Sequence, residues 1–380
     1  MRIELVGRAG LAVAAAAMLG STADAQRTKT GTMNDGSTWV ATNAIVGVNS
    51  TATAAGGGDP RYFAAQPAAS GVVSLIMRYA DGSAFICSGS LLQDRVSIVT
   101  AAHCVSDGKT ARPISTTVYF PNTDPDGIPH LGANVGSRAV TNYIVHPRYT
   151  GEVIDQNDIA ILRLDAPAPA TARAYGLFTP ASLTGSQFNV FGYGGRSDQG
   201  GNIGANLGTG RLRQGQNLFD YSWGDAAFAG FFTDRDAAGE NFFGKAEVDF
   251  SFVSDFDNGR AANNAACRIA NAVGAFGVRF CDIGFGANEV SVAGGDSGGP
   301  SFINGQLAAI TSYGLSFGAN FGDISAGLNS SFGEFNGFVP VNIHAAFITG
   351  YLVPEPATIG LTAFGLGVLG MLARRRRRVN

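Results

Sequence analysis

The sequence predicts an all-β protein built in two halves, and three observations carry that expectation. Glycine takes 53 of the 380 positions, about twice ordinary usage, which favours strands joined by tight turns over helices. Short runs rich in β-branched and aromatic residues, bounded by turn residues, recur along the chain. Between the two groups of runs, Ala166-Pro167-Ala168-Pro169-Ala170 reads as an extended connector. With 45% hydrophobic and 14% charged residues the chain can bury a core, and its length allows about two to three domains.

Residues 1–25 read as a secretory signal peptide. Arg2 and Arg8 supply positive charge, 11–19 is a short apolar run, and Ala23-Asp24-Ala25 fits a small-residue cleavage site. Residues 26–44 are polar and short of apolar pattern, as in a propeptide or N-terminal arm. Residues 56–70 are rich in Gly, Ala and Pro and read as a surface insertion. The first half, 45–170, offers strands at 72–79, 84–92, 96–100, 116–120, 139–146 and 159–164. The second half, 171–350, offers a strand at 188–193 and a glycine-rich loop at 194–210. Its aromatic-rich stretch 218–256 reads as hairpins, and further strands fall at 303–313 and from 338. Residues 351–380 form a tail of three parts: Val353-Pro354-Glu355-Pro356, an apolar run 357–373, and five arginines at 374–378. The apolar run is near the lower limit for a transmembrane helix, and the arginines would hold its end in the cytoplasm.

Charge narrows the function classes. Removing residues 1–25 and 354–380 takes away seven arginines and three acidic residues, leaving 19 basic and 26 acidic, a net charge near −7. An acidic body argues against nucleic-acid binding, which needs clustered Lys or Arg. The four cysteines, Cys87, Cys104, Cys267 and Cys281, fall in two locally spaced pairs. In an exported chain disulfides are expected, and spacing alone allows three connectivities. A zinc site is the alternative, but there is no Cys-x-x-Cys and no clustered histidine to support it.

Three motifs carry the chemistry. In Gly295-Asp296-Ser297-Gly298-Gly299-Pro300 glycines surround a serine, so the backbone can turn tightly and a substrate can come close. A hydroxyl is a weak nucleophile and needs a histidine base backed by a carboxylate. Thr100-Ala101-Ala102-His103-Cys104 supplies the first, and Asn157-Asp158-Ile159-Ala160-Ile161-Leu162-Arg163-Leu164 supplies the second. Together, and in the order His, Asp, Ser, these motifs resemble the trypsin/chymotrypsin family of serine endopeptidases. The resemblance runs from about residue 45 to 348. It implies two six-stranded antiparallel Greek-key β-barrels with the site in the cleft between them. Ser297 would be the nucleophile, His103 the base and then acid, and Asp158 the partner that fixes the histidine. The N–H groups of Gly295 and Ser297 would form the oxyanion hole. Disulfides Cys87–Cys104 and Cys267–Cys281 are the pairs the resemblance selects. No metal and no organic cofactor is expected.

Activation and specificity follow from the same resemblance. Family members begin at Ile-Val-Gly-Gly, and the new amine pairs with the aspartate before the serine. Here those residues would be Ile45 and Asp296, but Val48 stands in the fourth place and Ala44 precedes the cut. Ser291, six before the nucleophile, would lie at the base of the primary pocket and select uncharged side chains. Glu289 would disturb that preference if the loop slips by two residues. Ala293 stands where a pocket-bracing cysteine is common. Ser312-Tyr313-Gly314 resembles the edge that pairs with substrate backbone. Asp255-Phe256-Asp257-Asn258-Gly259 resembles a fragment of a calcium loop, but lacks a closing carboxylate at the needed offset and reads as a solvated turn. His130, His146 and His344 have no catalytic setting, and His146 reads as structural.

The tail resembles the PEP-CTERM sorting signal of Gram-negative bacteria. That implies an exported, surface-sorted protein, an exosortase-type sorting enzyme as partner, and membrane contact through 357–373, transient or permanent. The expected function is hydrolysis of protein or peptide substrates through an acyl-enzyme. The alternatives are a catalytically silent binding or matrix protein on the same fold, and a surface-anchored structural protein.

Overall fold

In the computed structural model the chain is described over residues 28–353, apart from 34–36, 43–47, 52–58, 122–123, 125, 133–134, 293 and 326. The signal peptide, Ile45, Ala293 and the apolar run 357–373 therefore lie outside the described residues. Among those described, no helix is long and apolar enough to cross a membrane.

The first half holds β4 (Val72–Arg78), β5 (Ala84–Leu91), β6 (Ser97–Thr100), β7 (Ser115–Tyr119), β8 (Ser137–Val145) and β9 (Ala160–Leu164). Upstream of it lie β1 (Thr28–Thr32), β2 (Thr38–Thr42) and β3 (Val48–Thr51). The six strands β4 to β9 close into a barrel in the order β4-β5-β6-β9-β8-β7, all pairs antiparallel. Val73, Leu75, Met77, Ile98, Val118 and Leu162 fill its interior. Alternate residues of a strand face opposite sides, so Leu75 and Met77 point inward together from β4.

The second half holds β10 (Gln187–Gly192), β11 (Arg196–Ser197), β12 (Arg213–Leu218), β13 (Tyr221–Ser222), β14 (Phe252–Asp255), β15 (Pro300–Ile303), β16 (Gln306–Ser316) and β17 (Phe335–Pro340). Helices α1 (Ala265–Ala272) and α2 (Ala345–Gly350) complete it. Its sheet runs β12-β10-β15-β16-β17-β14-β13 and, unlike the first, does not close among the described residues. The expected second six-stranded barrel is thus an open half-barrel. The stretch 218–256, expected as hairpins, contributes only β13 and β14. Its aromatics go elsewhere: Phe219, Trp223, Phe228, Phe232 and Phe243 are buried in the second core with Phe188 and Phe338. Large rings bury much area whatever the backbone does, so aromatic density signalled burial here, not strand.

The N-terminal arm also departs from expectation. β1 and β2 form a hairpin, and β2 pairs antiparallel with the end of β16. Met33, Trp39 and Ala41 are buried in the second core. A segment polar in composition is therefore anchored by a few apolar side chains whose partners are distant in sequence.

Between the halves lies a third cluster, in which Val99 and Ile161 of the barrel meet Phe191, Phe302, Ile310 and Val339 of the sheet. At the same seam His146 and His344 stack edge to face at 4.7 Å, with Phe347 at 4.8 Å from His146. Burial, then the neighbouring His344 and Arg148, push His146 down to about 4. Unfolding returns the ring to an ordinary value near 6.5, so between these values the unfolded chain binds more protons. The part of the stability that His146 contributes is therefore expected to fall as pH drops from about 6.5 to 4. Melting temperatures of wild type and His146→Phe across that window check this; the difference between the two should shift in the variant's favour as pH falls.

Candidate active site

Strand register brings the base and the carboxylate together. β6 and β9 pair with Thr100 opposite Ala160. His103 sits three residues beyond Thr100, on a short 3-10 turn (Ala102–Cys104), and Asp158 sits two residues before Ala160. The Asp158 carboxylate accepts from the His103 backbone N–H at 2.8 Å and lies 2.7 Å from the imidazole Nδ1. The contact turns Nδ1 towards Asp158 and leaves Nε2 on the far side of the ring. His103 Nε2 is buried and has no hydrogen-bond partner among the described residues.

The same strand that braces the histidine also holds the serine loop. Cys87 of β5 is bonded to Cys104, beside His103. The next residue, Ser88, donates its N–H to the Ser297 carbonyl at 2.8 Å. Its hydroxyl donates to the Gly295 carbonyl at 2.8 Å and accepts from Tyr193 N–H at 2.9 Å. Ser88 is thus a positioning residue that sequence reasoning missed; its one signal was adjacency to Cys87. Gly298 follows the serine at φ 77°, and a Cβ there would lie 2.0 Å from Thr100 Oγ1. Only glycine fits that left-handed, crowded position. Ser297 itself is buried to 4% exposure.

Cys87, His103 and Cys104 bring sulfur and nitrogen within 4.8 Å of one another. Both sulfurs are spent in the disulfide, so they offer no thiolates to a metal. The second expected pair, Cys267–Cys281, is also bonded.

The other expected residues divide. Ser312 donates its hydroxyl to Asp158 at 2.6 Å, so its side chain belongs to the His–Asp unit. Gly314 lies on the β16 edge, where β2 already pairs with it. Tyr313 is fully buried, its hydroxyl bonded to Trp223 Nε1 at 2.7 Å and to Ser251 at 2.8 Å. Its ring is core and is not offered to a substrate. Ser291 is buried and donates to Asn336 Oδ1 at 2.7 Å. Glu289 turns away from that site: its carboxylate accepts from the N–H groups of Asp257 at 2.5 Å and Phe285 at 2.6 Å. Asp296 accepts from Gly194 N–H at 2.6 Å. Asp255, Phe256 and Asp257 are buried to 3% exposure or less, which overturns the solvated turn. A cleft of about 400 Å³ lined by Arg173, Tyr175, Phe188 and Phe302 contains none of the expected catalytic residues.

Ser312→Ala should show what the third bond to Asp158 does. A hydrogen bond to a charged group contributes about 1.5–3 kcal/mol. If it serves only to fix the carboxylate, kcat should fall about 10- to 100-fold with KM little changed.

Sequence comparisons match two parts of the chain. Residues 61–215 match the trypsin family model. They carry a trypsin domain. The matched trypsin segment contains His103 and Asp158 and ends before Ser297. Residues 352–378 match the PEP-CTERM protein-sorting motif. Serine protease SP24D of Anopheles gambiae is 36% identical over 124 residues, 32% of this chain. The match spans 42% of the mosquito protein's length. Among solved structures, one described as "HL collagenase structure at 1.7A resolution" matches at 18% identity and TM-score 0.47, over 76% of this chain and 96% of that one.

Proposed function

We propose that this chain is a serine endopeptidase that cleaves peptide bonds through an acyl-enzyme. The observation that carries the reading is the His103 Nδ1–Asp158 contact of 2.7 Å. It leaves Nε2 as a buried base on the loop that Cys87–Cys104 ties to β5, where the next residue, Ser88, bonds the Ser297 turn. Nε2 takes the Ser297 proton as Oγ bonds to the scissile carbon. The N–H groups of Gly295 and Ser297 stabilise the negative oxygen. Collapse breaks the C–N bond, and His103 passes its proton to the leaving amine. Water, activated by the same nitrogen, then releases the acid and restores Ser297.

Ser291 at the base of the pocket is neutral and already spends its hydroxyl on Asn336, which supports a preference for uncharged side chains before the cut bond. In the zymogen reading, cleavage before Ile45 frees an amine that pairs with Asp296. The sorting motif supports export and surface display through an exosortase-type enzyme, with the tail removed or kept as an anchor. Labelling with a fluorophosphonate tests the chemistry: an active serine reacts, while unreactive Ser297 would leave the silent binding protein as the reading. Peptide-library profiling tests the pocket, and dominant cleavage after Arg or Lys would overturn the role of Ser291.

A further inference from the structure

Gln156 lies two residues before Asp158, in the turn that enters β9, and that turn is held from both halves of the chain. From the first half, Asp155 holds it. The Asp155 carboxylate accepts from Thr150 N–H at 2.8 Å, from the Thr150 hydroxyl at 2.7 Å and from Asn157 N–H at 2.8 Å. The Asp155 carbonyl accepts from Asp158 N–H at 3.1 Å.

The second half reaches the turn through Gln156. Each polar atom of this buried residue is taken, and each partner belongs to the second half. Its N–H donates to the Glu247 carbonyl at 3.3 Å, and its carbonyl lies 2.7 Å from His344 Nε2. In the side chain, Nε2 donates to a Glu247 carboxylate oxygen at 2.9 Å, and Oε1 accepts from Phe250 N–H at 3.2 Å. A backbone N–H only donates, so the amide must turn its oxygen to Phe250, which leaves the NH₂ for Glu247. Burying an amide is costly unless its groups are bonded. The glutamine is therefore specified to this one crossing between the halves. The apolar packing at the same seam, Val99 and Ile161 against Phe191 and Val339, attracts without direction. Hydrogen bonds have preferred lengths and angles, and so fix how the two halves register.

We propose that Gln156 is a positioning residue for the reaction proposed above, tying the Asp158 turn to the second half and so setting the His103–Asp158 pair against Ser297. The inference rests on the endopeptidase reading. His103 and Asp158 belong to the first half and Ser297 to the second, so the docking of the halves sets their separation. A misplacement of about 1 Å can cost on the order of 100-fold in rate. Ser312 is the companion tie: from β16 it donates to the Asp158 carboxylate at 2.6 Å. One tie thus acts on the side chain of Asp158, and the other on the backbone two residues earlier.

The test uses the full chain. Reactive serines are counted by titration with a fluorophosphonate, and kcat is expressed per reactive site, so misfolded protein drops out of the rate. Gln156→Ala should lower kcat per site about tenfold and leave KM within about twofold of wild type. Gln156→Glu sets two carboxylates face to face and should lose at least as much. Adding Glu247→Gln to Gln156→Glu exchanges donor and acceptor across the same contact and keeps an oxygen for Phe250 N–H. That exchange should bring kcat per site back to within about threefold of wild type. Gln156→Ala with Ser312→Ala should cost less than the product of the two single losses, because both ties act on Asp158. A glutamine that serves structure alone would lower the count of reactive sites and the melting temperature and leave kcat per site unchanged. That result would overturn the proposal, as would an exchange variant that folds without recovering kcat. A wild-type chain that does not react with the fluorophosphonate would instead end the endopeptidase reading, and this role with it.

Discussion

Ser297→Ala is expected to abolish hydrolysis of peptides and activated esters, lowering kcat on the order of 10⁵- to 10⁶-fold while the protein still folds. The size follows from the step removed: without Oγ no acyl-enzyme forms, and what remains is the help of the oxyanion site and of binding. His103→Ala should cost about as much, and the double variant little more than either, because the groups act on one proton transfer. Rates for the two single variants and the double variant check this. Additive losses would mean that His103 and Ser297 do not work together, which would end the triad reading even with the His103–Asp158 contact in place. The His103 ring is buried beside a carboxylate, so its replacement also leaves Asp158 with fewer partners. Melting curves must accompany the kinetics to separate lost chemistry from lost fold.

How legible this was from sequence differs by region, for physical reasons. The barrel strands fall within about two residues of expectation: 84–92 against Ala84–Leu91, and 159–164 against Ala160–Leu164. Each is a short β-branched or aromatic run between turn residues, and local pattern decides such elements. His103 and Asp158 were legible because each sits in its own local motif and one strand register joins them. Ser88 was not, because its role rests on contacts with Gly295, Ser297 and Tyr193, far along the chain. Asp255 and Asp257 stood out as a pair and read as solvated, but the contacts that bury them, with Glu289 and with the start of α1, come from later in the chain. The arm misled for the same reason. Its composition is polar, yet Gly31 stands opposite Trp39 in the hairpin, and that indole is buried among rings from 242–243.

That buried indole carries the second large prediction. β2 pairs with Gly314, Leu315 and Ser316, on the strand that holds Ser312 against Asp158. An extended peptide binds by adding a strand to such an edge; if 312–314 is the substrate edge of the proposed endopeptidase, the arm and a long substrate compete for the same backbone groups. Trp39, at 3% exposure, and an ion pair from Lys29 to Glu152 at 2.5 Å hold the arm in place. Trp39→Ala removes a buried aromatic worth about 3–5 kcal/mol. About 3 kcal/mol of weakened docking corresponds to roughly 100-fold greater release of the arm. Turnover of a peptide with four or more residues before the cut bond should therefore rise, by up to about 100-fold in kcat/KM. A short ester, which needs only the pocket and the serine, should hardly change. If both substrates fall together with the melting temperature, the hairpin is structure alone. If only the long peptide gains, the arm is an intramolecular occupant of the substrate edge, and cutting before Ile45 without displacing β2 would not give full activity.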